Sequence, residues 1–274
     1  MSRQATHRAD RCRIVELPRG GKLILDISDI LRDLYFFGLD YEAETSAVVA
    51  ALVGAGDEVV DVGAHCGYYT MLMAERVGRS GRVHAFEPNP ELIDLLEQSI
   101  RLNGFEDRVV RNRSAVSDSA ARGVPLYVSR HTQNRGLSSL RPHAVPLREG
   151  FLSPDCTVPV DTVRLDDYCA EYGVRTCALV KIDVECAEAA VLRGMGGVLE
   201  RDPPRAILCE TYPGSDADQW LCGHGFERCG IETPPPGVAL ESGEWWLNIL
   251  YLASHSAAAL KARLSAVGIR QWAY

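Results

Sequence analysis

One stretch limits what this chain can fold into more than any other: Gly56-Asp-Glu-Val-Val-Asp-Val-Gly-Ala-His-Cys-Gly-Tyr-Tyr-Thr70. Val59 to Val62 is a short apolar run of the length of a buried parallel strand. Gly63, Ala64, His65 and Gly67 make a tight turn after it, and Tyr68 opens a helix that the spacing carries to Val77. Glycine in such a turn lets a ligand lie against bare backbone. A strand, a Gly-rich turn and a helix place a nucleoside beside the strand ends of an open α/β sheet. Asp61 sits near the carboxyl end of the strand. Its charge would repel a pyrophosphate but not a cationic amino-acid ligand. The Gly-x-Gly-x-x-Gly of dinucleotide folds is absent, since only Gly63 and Gly67 are present. The stretch therefore points to S-adenosylmethionine, which carries a sulfonium and an ammonium and no phosphate, rather than to NAD.

Composition narrows the class further. The 274 residues suit one large α/β domain with an embellishment, and 46% apolar residues are enough for its core. A net charge of −8 argues against a nucleic-acid partner. No run of about 18 apolar residues occurs, so neither a membrane span nor a membrane partner is expected. Residues 1–10 have no apolar signal core and are expected to be disordered. The nine cysteines show no Cys-x-x-Cys spacing, which removes a structural zinc site and reads as reduced thiols of a cytoplasmic protein. Homo-oligomerisation is left open.

Read in order, the chain starts with a hairpin, Arg13–Leu17 and Lys22–Ile27 around Pro18-Arg-Gly-Gly21. Ile30–Phe37 has helical spacing, and a second helix to Val53 is capped by Thr45 or Ser46. Residues 1–50 form this N-terminal extension, which is expected to cover one rim of the cofactor cleft; residues 51–274 form the main domain. Arg82–Phe86 is the next strand. Asn89 as N-cap, Pro90 at the first helical position and Gly104 beyond the end frame a helix. Strands follow at Val109–Arg113, Val124–Val128 and Val158–Val163. The polar span Ser129–Asp155 reads as a lid or binding loop. Leu165–Tyr172 and Ala187–Leu199 read as helices and Ala178–Val184 as a buried strand. Arg205–Cys209 and Glu227–Ile231 are further strands, with a helix over Asp216–Cys222 between them. Pro234–Gly237 is a stiff turn before a late strand, Trp245–Leu252, and a last helix, Ser256–Val267. Alternating strands and helices predict a parallel sheet with helices on both faces.

With these segments in hand, the chain resembles the FkbM-type family of S-adenosylmethionine-dependent methyltransferases. The resemblance rests on Asp61-Val-Gly-Ala-His-Cys-Gly-Tyr-Tyr-Thr70, Ala85-Phe-Glu-Pro-Asn89, Asn112-Arg-Ser-Ala-Val-Ser-Asp118, Leu165-Asp-Asp-Tyr168 and Lys181-Ile-Asp-Val-Glu-Cys-Ala-Glu188. Tyr41-Glu-Ala-Glu-Thr45, Gly136-Leu-Ser-Ser-Leu140 and Asn248-Ile-Leu-Tyr251 add to it. It implies a class I (Rossmann-like) methyltransferase fold, a seven-stranded sheet with the last strand antiparallel, and methylation of a hydroxyl on a natural product or sugar. The chain departs from the family pattern at His65, usually Asn, and at Cys186, usually Gly.

Candidate site residues follow from position. Glu87, 20 residues beyond Gly67, ends the second strand, where a carboxylate accepts both ribose hydroxyls; Pro88 and Asn89 follow it, and the bland alternative is a solvated acid. Asp61 orients the methionine end, or else caps a helix. Ser114 and Ala115 end the third strand, where adenine would lie, or form an ordinary turn. Lys181, Asp183 and Glu185 alternate along one strand and so share a face. Charges there are costly in a core unless they pair or face a site, and the alternative is a structural Lys–carboxylate network. Glu210 ends the neighbouring strand and can meet Asp183, raising one pKa to give a base near neutrality. The predicted catalytic set is thus Asp183, Glu210 and Lys181, with Asp183 also near the cofactor. His65, His131, His143 and His224 are alternative bases. Asp183 and Glu210 could hold Mg²⁺, but no spacing demands a metal. The expected reaction is O-methylation of a small hydroxylated molecule. The alternatives are N-methylation, an NAD-dependent oxidoreductase, or a nucleoside-binding module without chemistry.

Overall fold

The computed structural model describes residues 10–29, 31, 33, 35, 38, 40–129, 136–141, 152–230 and 247–269. The segment 1–10 except Asp10, the expected turn at 234–237, Trp245, Trp246, His131, His143 and most of the expected helix 30–37 and expected loop 129–155 lie outside those residues.

A seven-stranded sheet forms the centre. Its strands are β3 (Glu58–Val62), β4 (Arg82–Phe86), β5 (Val109–Asn112), β9 (Cys177–Ile182), β10 (Ala206–Thr211), β11 (Phe226–Gly230) and β12 (Leu247–Ala253). Their order is β11-β12-β10-β9-β3-β4-β5. β12 runs antiparallel to both its neighbours, while β10, β9, β3, β4 and β5 pair in parallel. The chain moves outward from β3 through β4 to β5 and then returns to β9 on the other side of β3. The strand order reverses there, and the crevice outside the carboxyl ends of β3 and β9 is where an open α/β sheet receives a ligand.

The period-2 alternation of the strands divides the core. Val59, Leu179, Leu208, Leu250 and Leu252 face one apolar cluster. This cluster contains residues of α1 (Ala43–Leu52), α2 (Tyr68–Val77), α3 (Pro90–Asn103) and α8 (Ala257–Ala266). Val60, Val62, Val180, Ile182, Ile207, Ile249 and Tyr251 face the other cluster. That one contains residues of α4 (Leu165–Tyr172), α5 (Glu188–Arg193), α6 (Gly196–Arg201) and α7 (Asp216–Gly223). Asp61 and Lys181, 0% and 2% exposed, occupy first-face positions that Val or Leu would otherwise fill. Burying such an apolar side chain stabilises by about 1.5–3 kcal/mol, so polar residues kept there signal a site.

The structure revises several local expectations. Glu42 holds the N-cap position of α1 without a side-chain capping bond, and Thr45 and Ser46, expected as caps, are buried within the helix. The expected helix 187–199 is two helices, broken at Gly194, where a Cβ would stand 2.0 Å from the Ser117 carbonyl oxygen. β6 (Ser114–Val116), β7 (Ala121–Ser129) and β8 (Leu152–Val163) form a separate three-stranded sheet that the sequence pattern did not announce. The hairpin β1 (Cys12–Glu16) and β2 (Lys22–Asp26) is as expected. Its position is not: β2 packs on α3, with Ile24 N–H donating to Ser99 Oγ at 2.9 Å. Among the described residues that follow it, Asp29 and Asp40–Glu42 reach the sheet's carboxyl edge. Asn89 caps α3 through Glu91 N–H at 3.0 Å, with Pro90 first in the helix and Gly104 left-handed at φ 66.

Candidate active site

Four neighbouring strands put a polar row on the first face at their carboxyl edge. Asp61 on β3 lies in register with Lys181 on β9. Glu210 on β10 lies opposite Asn248 on β12. Asp183 follows Lys181 on the same face. Lys181 Nζ donates to Asp183 Oδ2 at 2.8 Å and stands 4.7 Å from the centre of the Tyr69 ring. The Lys181 side chain is 2% exposed and that of Asp183 31%. An acceptor can therefore reach Asp183, while Lys181 lies beneath.

Electrostatics divides the acids. Burial pushes Asp183 up, but the adjacent Lys181 ammonium outweighs it and holds the carboxyl below its ordinary range. Burial, and then the Asp183 charge, push Glu210 well above the ordinary range; the two carboxyls are hydrogen-bonded. At neutral pH the pair thus holds one proton, on Glu210, and Asp183 is the ionised member. Burial opposes the charge of Lys181, yet Asp183, Asp61 and Glu42 keep it protonated. Burial raises Glu185 to about 8 and Glu188 to about 7. Ligand oxygens of Asp183, Glu185 and Glu210 lie within 4.8 Å of one another, so a cation could be held there.

The turn after β3 meets a demand beyond the expected one. Gly63 has φ 83, and a Cβ on it would lie 1.7 Å from the Asp183 carbonyl oxygen. Gly67 has φ 104, and its Cβ would lie 2.5 Å from Leu96 Cδ1. Both glycines answer close approach by the protein itself. His65 occupies the left-handed region at φ 53, which Asn and His tolerate better than most residues. Its side chain stands 3.7 Å from Asp29 and its N–H donates to Glu87 Oε2 at 2.8 Å. Glu87 Oε1 accepts from Asn89 N–H at 2.8 Å. Glu87 is 6% exposed, not a solvated acid, and burial lifts it to about 7 against these two N–H groups. Ala64 is buried in the turn. Tyr68, expected at the cofactor, is engaged by the N-terminal segment: its hydroxyl donates to Asp40 Oδ1 at 2.9 Å. Ser114 is half-buried and Ala115 buried on β6. His224 ends α7 with Nδ1 2.7 Å from the Trp220 carbonyl oxygen.

Sequence reasoning missed Glu42 and Tyr69. Tyr69 O–H donates to Glu42 Oε2 at 2.6 Å and Asn248 Nδ2 donates to the same oxygen at 3.1 Å. The signal available was backbone strain. The non-glycine residues at positive φ among those described are Glu42, His65, Glu185 and Cys186, and all four sit here. Each such residue costs about 1–3 kcal/mol, and such strain gathers at functional sites. Over the Glu185–Cys186 turn, Ser139 Oγ donates to the Glu185 carbonyl oxygen at 2.6 Å. The Gly136–Leu140 part of the expected lid is thereby docked at the site.

Cys186, at φ 72, shows why the family pattern has Gly at this position. Cys186→Gly is expected to gain about 0.5–2 kcal/mol, the relieved strain less the added freedom of the unfolded chain. Urea unfolding checks this, with Cys186→Ala, which keeps the strain, as the control.

Do these residues fit S-adenosylmethionine? Asp61 Oδ2 accepts from Thr70 Oγ1 at 2.6 Å, while Oδ1 is buried without a hydrogen-bond partner. An orphaned carboxylate oxygen needs a donor, and an ammonium supplies one directly or through one water. Glu87 uses each oxygen once, leaving lone pairs for two ribose hydroxyls. The charges and donors fit.

The strand order with its single antiparallel strand, and a polar site at the switch point, define a class I methyltransferase. The sequence agrees: residues 61–228 match the model of the methyltransferase FkbM domain. The chain is 32% identical over 212 residues to 31-O-demethyl-FK506 methyltransferase FkbM of Streptomyces tacrolimicus, covering 65% of this chain and 76% of that protein. It is 28% identical to methyltransferase sdnD of Sordaria araneosa, over 50% of this chain and 60% of that one. Among solved structures, methyltransferase FkbM of Methylobacillus flagellatus aligns at a TM-score of 0.46 and 17% identity, over 87% of this chain and 48% of that chain. The chain belongs to the FkbM methyltransferase family and uses S-adenosylmethionine.

Proposed function

We propose that this enzyme methylates a hydroxyl oxygen of a small polyhydroxylated natural product of macrolide, glycoside or nucleoside type. The observation that carries the reading is Asp183: an accessible ionised carboxylate, hydrogen-bonded to Glu210 and fixed by Lys181 at 2.8 Å. A hydroxyl is a weak nucleophile until its proton leaves, so it needs a positioned base; an uncharged amine does not. The name of the Streptomyces relative, an O-demethyl-FK506 methyltransferase, supports the same reading.

The cofactor supplies an electrophilic methyl group on a sulfonium. The chain does the rest. Glu87 holds the ribose and Asp61 the amino end. Asp183 accepts the acceptor hydroxyl's proton as the C–O bond forms and the methyl's bond to sulfur breaks, with S-adenosylhomocysteine as the leaving group. A depressed pKa is no obstacle, because an alkylated oxygen that still bears its proton is far more acidic than any carboxylic acid. Glu210 keeps its proton and hydrogen-bonds Asp183 in line. The Gly136–Leu140 segment covers the Glu185 side and excludes water. No helix among the described residues is long and apolar enough to cross a membrane. The nine cysteines are all free thiols, which supports a cytoplasmic location for the enzyme.

The test is a screen of hydroxylated macrolides, glycosides and nucleosides with methyl-tritiated S-adenosylmethionine. Label in a product is expected. Label only in amines would overturn the reading.

Cofactor affinity should also depend on Glu87. In the ligand-free enzyme its carboxyl titrates at about 7, against an ordinary 4.5. The folded protein thus keeps a proton that the unfolded chain has lost, and this group's contribution to stability falls as pH rises across that window. A ribose diol donates to the ionised form, so affinity for S-adenosylhomocysteine rises with pH through about 7. Glu87→Gln should weaken binding by roughly 10- to 100-fold, the worth of hydrogen bonds to a charged group, and should flatten that pH dependence. Calorimetry at several pH values measures both.

A further inference from the structure

Glu42 enters the site from the N-terminal segment rather than from the sheet. It stands at the N-terminus of α1, yet its side chain makes no capping bond to that helix. It turns instead, at φ 44, toward the polar row. Its partners are Tyr69 on α2, Asn248 on β12 and the neighbouring Tyr41 hydroxyl, and Asn248 lies opposite Glu210. The Gly63 turn and Glu87 lie on the β3–β4 side of the sheet. Glu42 therefore overhangs the opposite half, β9 to β12, which the cofactor-side residues leave for the acceptor. Glu42 is half-buried, so it can be reached. The Tyr69 and Asn248 hydrogen bonds both fall on Oε2, at 2.6 and 3.1 Å, and leave Oε1, which can accept more than one hydrogen, with capacity for another donor beside the Tyr41 hydroxyl. A carboxylate oxygen so placed, with its twin fixed by two donors, is a rigid acceptor for a hydroxyl.

We infer that Glu42 is a substrate-positioning residue, whose Oε1 accepts a hydrogen bond from a second hydroxyl of the acceptor while Asp183 holds the hydroxyl to be methylated. The acceptor is then a diol, with its second hydroxyl near the first. This rests on the oxygen-methylation reading above. Two anchored hydroxyls fix the orientation of the reacting one, which is the geometric demand of an in-line displacement.

The experiment uses the full chain with the panel of hydroxylated macrolides and glycosides, and the mono-deoxy analogue of each compound that the wild type methylates. Glu42→Gln should raise the acceptor KM by roughly tenfold, the worth of one hydrogen bond to a charged group. The kcat, the melting midpoint and the affinity for S-adenosylhomocysteine should stay unchanged. With the deoxy analogue, wild type and variant should no longer differ. An unchanged KM overturns the inference. So does a KM rise of equal size for diol and deoxy analogue, or a loss of cofactor affinity or melting midpoint, because a strut for the N-terminal segment would produce these. If Glu42→Gln does not fold, Glu42→Asp, which keeps the charge and withdraws the oxygen, is read the same way. Failure of the oxygen-methylation reading is separate: it shows in the wild type alone, as a panel without methylated oxygen.

Discussion

Asp183→Asn is expected to lower kcat by roughly 10²–10⁴-fold, the usual contribution of a positioned general base, while affinity for S-adenosylhomocysteine stays within a few-fold. Glu210→Gln is expected to cost much less. A glutamine amide still donates to Asp183, so only the strength of one hydrogen bond to a charged group changes, about tenfold in rate. The asymmetry follows from the electrostatics. Lys181 at 2.8 Å holds Asp183 ionised, and burial beside Asp183 keeps Glu210 protonated. Steady-state kinetics with a methylated acceptor from the panel decides between them. If Glu210→Gln loses more than Asp183→Asn, the proton is on the wrong member of this account, and Glu210 is the base.

Gly63→Ala is expected to destabilise the fold by roughly 3–5 kcal/mol. Backbone strain of about 1–3 kcal/mol at φ 83 adds to overpacking of similar size. The new Cβ would stand 1.7 Å from the Asp183 carbonyl oxygen, which backbone cannot yield without moving the base. That is a large part of the 5–15 kcal/mol a domain of this kind possesses. Urea unfolding of the ligand-free protein measures it. If the turn were glycine-rich only to admit a ligand, Gly63→Ala would instead unfold near the wild-type midpoint and fail only in cofactor binding.

This contrast marks where the sequence was legible. The Gly56–Thr70 stretch located the turn, because a strand, two glycines and a helix leave few other conformations. It did not show the second demand on Gly63, because the approach of the Asp183 backbone comes from the segment after β9, more than a hundred residues later in the chain. Period 2 correctly put Lys181 and Asp183 on one face, but β9 ends at Ile182, so Glu185 reaches the same site from a left-handed turn at φ 52 and not from the strand; strand ends brought Glu210 to Asp183. Nothing local reveals that Lys181 is beneath and Asp183 accessible, since that depends on the Tyr69 ring of α2 standing over the lysine. Glu42 itself stood in a quoted motif, Tyr41-Glu-Ala-Glu-Thr45, but an acid before a helix reads as a favourable N-terminal charge. Its real bonds, to residues 69 and 248, are long-range. The helix break at Gly194 and the sheet of β6, β7 and β8 were likewise set by tertiary contact: Ser117 against Gly194, and Ser114–Val116 alongside Asp161–Val163. Cys186 was legible as a departure from a glycine pattern, and its φ of 72 gives the reason.

The account stands on which atom receives the methyl group. The direct measurement is NMR of the product formed from methyl-¹³C-labelled S-adenosylmethionine and an acceptor from the hydroxylated panel. The account predicts a labelled methyl ether, correlated through the oxygen to the carbon that bore the hydroxyl, formed by the wild type and nearly absent with Asp183→Asn. A labelled methyl on nitrogen, or an ether formed equally well by Asp183→Asn, would contradict it.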